Sequence, residues 1–441
     1  MEKYFEINGF DLTIKDIIDV AVGKKGIVRM SDSAIEKCQN SRAQINRWLE
    51  KDAPVVYGIN TGLGNLKNIK LSTDDHCKWN ETIPYPHAIG LGAPIDPLIT
   101  RIALLIRANV LCRGYSAVRP ELIQRMLDIF NAGISPVVFE LGSTGLSDLG
   151  PLAQSAMVVA GMEEAEVFYE GRRTKAKECF EALGIEPEFV LECKETLSQM
   201  NGSTMTQSIS VVAFNAFKKL VEVNREILNV EGLLSRELIS TQQTINQACD
   251  SALSYIHETL NFENNVSCDN PLVFEKENGF YEAVMGCNCS NTQVGFAMDL
   301  LAILVSEQGL MVNAAIFQLA EASDGLAGYC SISESLLNAI RAQCIPASAD
   351  SISTKGNQED HVEFSYGAAR KAMQSVKLLK TMVAGLGSIA VLKAEQSDYQ
   401  AVNDSQFLKA LSKNFDLQNK TLFMSDRLNV AEDLFTSHIL I

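Results

Sequence analysis

Phe296 to Ala322 reads FAMDLLAILVSEQGLMVNAAIFQLAEA. Its apolar residues cover most of the helical circumference, and the few charges are widely spaced. A helix that is apolar nearly all round must be covered on all sides. Three stretches carry this helical periodicity: Thr206 to Leu234, Gly295 to Ala322, and Gly367 to Lys393. Each runs for about 25 residues or more, roughly 40 Å at about 1.5 Å per residue, well beyond the average globular helix. Side-by-side bundling is the natural way to bury several such helices. The predicted fold class is therefore mainly α, with a long central helix bundle.

On either side of these helices the character changes. Residues 1–135 carry shorter segments, with turn signals at YGINTGLGN and GLGAPIDP and a helical run at ITRIALLIRANVLC. They read as an N-terminal region of short helices and loops. Residues 136–395 form the long-helix region and 396–441 a short C-terminal region, all within one continuous fold. Strand signals are sparse, and two small β hairpins are expected, at Glu166 to Thr174 and at Asn270 to Gly286, the second turning at Glu277 to Gly279.

The totals narrow the class of function. At 441 residues, 46% hydrophobic and 21% charged, with 11 prolines, the composition fits neither a disordered nor a fibrous chain. A net charge of −16 without clustered Lys and Arg argues against nucleic acid as a partner. The start, MEKYFEINGFDLTIKD, lacks a basic segment followed by an apolar one, and no uncharged run of about 18 residues occurs. No membrane partner and a cytoplasmic location are expected. The 11 cysteines include one C-x-C, Cys287 and Cys289, with no second ligand pair. No metal site is expected, and scattered thiols suit a reducing compartment.

Six polar, Gly- and Asn-rich stretches interrupt the helices: VVYGINTGLGN, IPYPHAIGLGAP, GSTGLSDLGPLAQ, MNGSTMTQ, SCDNPLVF with GCNCSN, and STKGNQEDHVEF. Loops on a rigid helical scaffold commonly carry function. Taken singly, each also reads as plain structure. Asn-Gly and Gly-x-Gly form turns, Ser147 and Asp148 are plausible helix caps, and acids suit a helix start. A phosphate cradle is excluded at GSTGLSDLGPLAQ, which lacks the lysine and hydroxyl that G-x-x-x-x-G-K-[ST] requires.

In their order these landmarks resemble the aromatic amino-acid ammonia-lyase family, which includes histidine and phenylalanine ammonia-lyases. Y-G-I-N-T-G-L-G at 57–64 is followed by H-A-I-G-L-G-A-P at 87–94, R-G-Y-S-A-V-R-P-E-L at 113–122 and G-S-T-G at 142–145. D-L-G-P-L-A at 148–153, M-N-G-S-T at 200–204, D-N-P-L at 269–272, N-Q-E-D-H-V at 357–362 and S-D-R-L at 425–428 continue the series. The resemblance implies the histidine ammonia-lyase type of bundle. It also implies a homotetramer with dihedral symmetry whose active sites combine loops from several subunits, acting on a small-molecule substrate.

In that family an Ala-Ser-Gly tripeptide cyclises to the prosthetic electrophile methylidene-imidazolone. Here the matching line reads Leu146, Ser147, Asp148: the alanine is replaced and the glycine is missing. Cyclisation passes through a turn so compressed that glycine is its suitable occupant. Methylidene-imidazolone is therefore not expected, and no other cofactor is implied. Without it the substrate must bring its own leaving group, and a quaternary trimethylammonium is one.

The resemblance assigns Tyr57 as general base, His87 and Asn201 as residues around the substrate, and Glu359 as the acid that contacts an imidazole. Lys355 stands where the family has a serine, beside Gln358 and Glu359, and Lys67 is a second nearby cation. Asn288 belongs to the Gly-Asn landmark, after which the family's Phe-His becomes Cys289-Ser290. Within SRELISTQQTIN, Ser235 to Asn246, no arginine stands at the place of the family's carboxylate-gripping one, and Arg236 lies a few residues early. The expected reaction is a cofactor-independent carbon-nitrogen elimination of the ergothionase type, releasing trimethylamine from ergothioneine. An ammonia-lyase or aminomutase acting on histidine or another aromatic amino acid, and an inactive binding relative, are the alternatives.

Overall fold

The computed structural model describes residues 3–50, 52–62, 69–286, 288–320, 326–354, 359–396, 405–414 and 424–438. The fold is mainly helical, with a few two- and three-stranded sheets. The chain divides into two compact units that alternate along it: 1–209, 260–294 and 349–367 make one, and 210–259, 295–348 and 368–441 the other. The stretches 1–135, 136–395 and 396–441 are contiguous in sequence, whereas these units are interleaved.

In the first unit the short helices have identifiable starts. Thr13 and Asp16 form a reciprocal capping box for the helix Ile14–Ala21. Asp96 caps Pro97–Leu111 by accepting the Leu98 N–H at 2.9 Å, with proline at the first helical position. That helix is the run ITRIALLIRANVLC, and it is buried on nearly every face. Such burial places Arg107 and Asn109 inside the protein, where each must find partners.

The hairpin expected at Glu166 to Thr174 is present as Glu166–Tyr169 paired with Arg172–Lys175, with positive φ at Glu170 and Gly171. Two residues in that conformation match the right-handed twist of the flanking strands. Ser135–Pro136 adds a third strand. The second hairpin pairs Leu272–Glu275 with Tyr281–Val284, turning through Lys276 and Gly279. Two further pairs lacked a clear sequence signal: the parallel Tyr4–Ile7 and Ile27–Met30, and Leu91–Pro94 with Phe139–Leu141. Each strand has only two to four residues, too few for a period-2 pattern to stand out.

The three expected long helices span Thr204–Leu228, Thr292–Ala320 and Ser365–Gln396. The first stops short of Leu234 because the chain turns through Asn229 to Leu233, with Gly232 at positive φ. A fourth long helix, Arg236–Glu263, was not expected. Its C-terminal half buries Cys249, Leu253, Ile256 and Leu260 at helical spacing, but its first half packs amides instead. There Gln242 and Gln308 both donate to Asn246 Oδ1, at 2.9 and 3.0 Å, and Gln242 also donates to Gln308 Oε1 at 3.1 Å. A hydrophobic pattern cannot register a core built from such hydrogen bonds.

Thr292–Ala320 and Ser365–Ala394 are long and apolar enough to cross a membrane by length and composition, and more than half of each is buried within the protein. They read as core helices.

Candidate active site

Two buried apolar clusters of the first unit gather the polar motifs. Ala153, Ala156 and Met200 pack with Ile83, Ala88 and Leu149. This joins the segments that carry His87, Asp148 and Asn201. Ile45, Trp48, Ile59, Ala117, Cys193 and Val273 pack with Val56, Tyr281 and Ala283. This holds the loop around Tyr57 against the segment that starts at Asp269.

The Tyr57 loop is fixed largely by its own neighbours. Asn60 donates to the carbonyls of Trp48 and Pro54 and accepts the Val56 N–H at 2.7 Å. Gly58 sits at φ 70, and its N–H reaches Thr61 Oγ1 at 3.2 Å. Tyr57 itself is half-buried, so its ring lies at the protein's edge on a braced loop. His87, also half-buried, ends the short helix Pro84–His87. Its Nδ1 is 2.8 Å from the Ile83 carbonyl, which can only accept, so Nδ1 carries a proton.

The loop Gly142 to Asp148 is the centre of the arrangement. A Cβ on Gly142 would lie 2.3 Å from the Ile89 carbonyl oxygen, and one on Gly145 within 2.6 Å of the Ser365 N and Oγ. Both glycines therefore permit close approach of backbone to backbone. Leu146 and Ser147 are buried, with Ser147 at φ 64. Ser147 Oγ donates to Asn201 Oδ1 at 3.2 Å and accepts the Gly202 N–H at 2.9 Å. Its own N–H reaches the Cys289 carbonyl at 3.3 Å, which brings Asn288 in the preceding turn position close to the loop.

Asp148 is wholly buried. Its carboxylate accepts from Ser143 Oγ at 2.6 Å, the Thr206 N–H at 2.7 Å and Thr206 Oγ1 at 2.9 Å. Burial nonetheless pushes the carboxyl up to about 6, because desolvation of the charge outweighs these bonds and Glu363 adds repulsion. Glu363, buried as well, accepts the Asn291 N–H at 2.7 Å, and burial raises its carboxyl too. Glu263 is pushed up to about 7, again by burial first.

A folded-state value above the unfolded one means that Asp148 contributes stability that is full below pH 3.8 and lost as pH rises through about 6. The gap corresponds to roughly 3 kcal/mol. Asparagine can accept from the Thr206 N–H and donate to the two hydroxyls, so it fits the same cage without charge. Asp148→Asn is expected to match the wild type near pH 4 and to exceed its stability at pH 8 by up to about 3 kcal/mol. Denaturant unfolding at both pH values measures this, and an equal or lower stability at pH 8 contradicts it.

Glu359 pairs with Thr354 through the backbone and accepts its Oγ1 hydrogen bond at 2.9 Å. Lys67, Lys355 and Gln358 lie outside the described residues. Among the described residues no group of three His, Cys, Asp or Glu side chains could hold a metal ion. Glu363 and Arg107 were not singled out. The only sequence signal for Glu363 was an acid two residues after the histidine of NQEDHVEF, and Arg107 is one of two arginines inside a largely apolar helix.

The sequence profile of the family described as aromatic amino acid lyase matches residues 12–234 and 239–413. The chain belongs to the aromatic amino acid lyase family. A histidine ammonia-lyase of Halalkalibacterium halodurans is 30% identical over 443 residues, covering 86% of this chain and 85% of that one. Among solved structures, histidine ammonia-lyase from Trypanosoma cruzi superposes with a TM-score of 0.82 at 24% identity, over 99% of this chain and 94% of that one. The ergothioneine degrading enzyme ergothionase from Treponema denticola does so with a TM-score of 0.87 at 18% identity, over 99% of both chains. These structural likenesses establish the lyase fold, and the sequence match establishes the family.

Proposed function

We propose that this family member is a carbon-nitrogen lyase that works without methylidene-imidazolone and eliminates trimethylamine from ergothioneine, leaving thiolurocanate. One observation carries the reading. The amide nitrogen that would close the ring belongs to Asp148, and its N–H is committed to the Gly202 carbonyl at 2.7 Å. The Asp148 side chain is bound on both oxygens, and no glycine stands between it and Ser147. Leu146, Ser147 and Asp148 therefore do not fit the prosthetic group.

A primary ammonium loses an N–H proton to a base more readily than a carbon-bound one, and so becomes a poor leaving group. A trimethylammonium has no such proton and keeps its charge until it departs as trimethylamine. In the proposed step Tyr57 takes the β-proton and the Cβ–H electrons become the Cα=Cβ bond. The Cα–N electrons depart with trimethylamine. Lys355 and Glu359 hold the thioimidazole, which accepts developing negative charge. His87, Asn201, Asn288, Lys67 and Gln358 line the substrate.

The same reading takes the protein to be a cytoplasmic homotetramer. Phe296, Ile303 and Leu310 support the assembly, since they form an exposed stripe at seven-residue spacing along one helix. No disulfide joins any described cysteine, which suits the compartment.

A second reading, an ammonia-lyase acting on histidine, is favoured by the 30% identity to histidine ammonia-lyases. One experiment separates the two. Purified protein is given ergothioneine, hercynine and histidine, while trimethylamine, ammonia and the ultraviolet band of the conjugated acrylate are followed, and its intact mass is measured. The expected result is trimethylamine from ergothioneine and a mass equal to that of the sequence. Turnover of histidine with a mass deficit of two waters overturns it, as does the absence of product from both betaines.

A further inference from the structure

Lys194 and Asp269 form an ion pair with both side chains shut off from solvent, 0% and 1% exposed. Lys194 was not singled out in the sequence, Asp269 stood there only as part of the landmark D-N-P-L, and neither belongs to the residues assigned to the reaction. A buried ion pair is weak evidence for stability, since desolvation offsets the attraction. Its place in the chain suggests another use.

The six-residue helix Glu195–Met200 begins at Lys194 and ends at Asn201. Both ends and the middle are tied to one tripeptide, Cys268-Asp269-Asn270. At the start, the Lys194 ammonium donates to Asp269 Oδ2, and Ser198 Oγ donates to the same oxygen at 2.8 Å. The other oxygen, Oδ1, accepts the Asn270 N–H at 2.7 Å. At the end, Asn201 Nδ2 donates to the Asn270 carbonyl at 3.4 Å, and Arg107 bridges the Asn201 carbonyl to Cys268 Sγ.

Lys194 reaches this position at φ 75, the left-handed region that a lysine occupies only when its surroundings enforce it. The carboxylate thus holds the N–H on one side of Asn270, and the carbonyl on the other side of the same residue receives the Asn201 amide. Asn201 in turn receives the Ser147 hydroxyl, which fixes its Oδ1 and leaves its amide geometry determined from both sides.

We propose that Asp269, held by Lys194, is a positioning residue that sets the Asn201 side chain for substrate through the Asn270 backbone. The effect rests on the Oδ1 acceptor for the Asn270 N–H, while the ammonium and Ser198 keep the carboxylate turned to present it. This inference rests on the proposed role of Asn201 beside the substrate.

Stability and positioning separate in two variants of the full chain. Lys194→Met/Asp269→Leu replaces the pair by apolar side chains of similar size, which proteins commonly tolerate, but it removes the acceptor for the Asn270 N–H. Asp269→Asn keeps an acceptor and gives up the charge. The double variant is expected to melt near the wild type and to lose about 10- to 100-fold in kcat/KM for ergothioneine, as displacing a substrate-orienting group does. Asp269→Asn is expected to recover most of that activity even where its melting temperature falls. In an Asn201→Ala background the double variant should add less than about 3-fold, because its effect runs through Asn201.

Full activity in a folded double variant overturns the proposal, and so does a loss that persists undiminished in the Asn201→Ala background. A double variant that fails to fold leaves the test to Asp269→Ala, which lacks the acceptor, combined with Asn201→Ala. Additive activity losses there overturn the proposal and non-additive ones support it. If the wild type turns over none of the three substrates, the proposed function fails by itself. Crystal structures then decide the positioning: a rotated Asn201 amide in the double variant supports it, and an unmoved one overturns it.

Discussion

Tyr57→Phe is expected to lower turnover of ergothioneine by about 10²- to 10⁴-fold, the usual contribution of a positioned general base. The substitution removes one oxygen and keeps the ring. The braces of the loop are elsewhere: Asn60 binds the Trp48 and Pro54 carbonyls, and the buried Ile59 packs with Trp48 and Val273. The substitution leaves these braces in place, so the melting temperature should stay close to that of the wild type. Steady-state kinetics beside a thermal melt check both halves. A variant with wild-type turnover would exclude Tyr57 as the base, and one that melts early would show the loss to be structural.

Arg119→Met is expected to destabilise the protein by about 3–5 kcal/mol, because it strands a buried carboxylate. Glu195 is 0% exposed and receives four hydrogen bonds. Its Oε1 accepts from the Arg119 N–H at 3.1 Å and Nε at 2.8 Å, and its Oε2 from Arg119 Nη2 at 2.7 Å and the Glu192 N–H at 2.8 Å. Two of the four come from the guanidinium, in the planar fork that lysine cannot reproduce. Arg119→Lys should therefore recover only part of the loss. Equilibrium unfolding in denaturant measures the difference, and a change under about 1 kcal/mol would place this ion pair with the weak exposed ones. Glu195 opens the helix that ends at Asn201, so the damage should extend to the site.

Arg119 shows how a motif can be visible before its reason is. R-G-Y-S-A-V-R-P-E-L stood out in the sequence as a landmark, with nothing to tell its two arginines apart. In the structure Arg113 donates to the Gly9 and Asn265 carbonyls, and Arg119 neutralises Glu195. Val190, Glu192 and Glu195, the partners of its guanidinium, lie more than 70 residues along the chain, beyond the reach of any local pattern.

Several features were legible because the physics that produces them is local. Three long helices follow from apolar periodicity, and the hairpin at Glu166 follows from a two-residue turn between short β-prone runs. The missing glycine between Ser147 and Asp148 is plain in the sequence, and with it the question of how an amine could leave. The fourth long helix was hidden because its first half is held by amides rather than by an apolar stripe.

What the sequence by itself determined was the helical class, the order of the polar loops and the shortened tripeptide, all of which depend on residue type and spacing. Only the tertiary structure decided what those loops hold. Asp148 has a raised carboxyl because burial strips its water, and burial is a property of the packed chain. Lys194 meets Asp269, Ser147 meets Asn201, and the Asp148 N–H meets Gly202 across gaps of 54 to 75 residues. A hydrogen bond depends on distances of a few tenths of an ångström, and those are set only when the segments carrying both partners have packed.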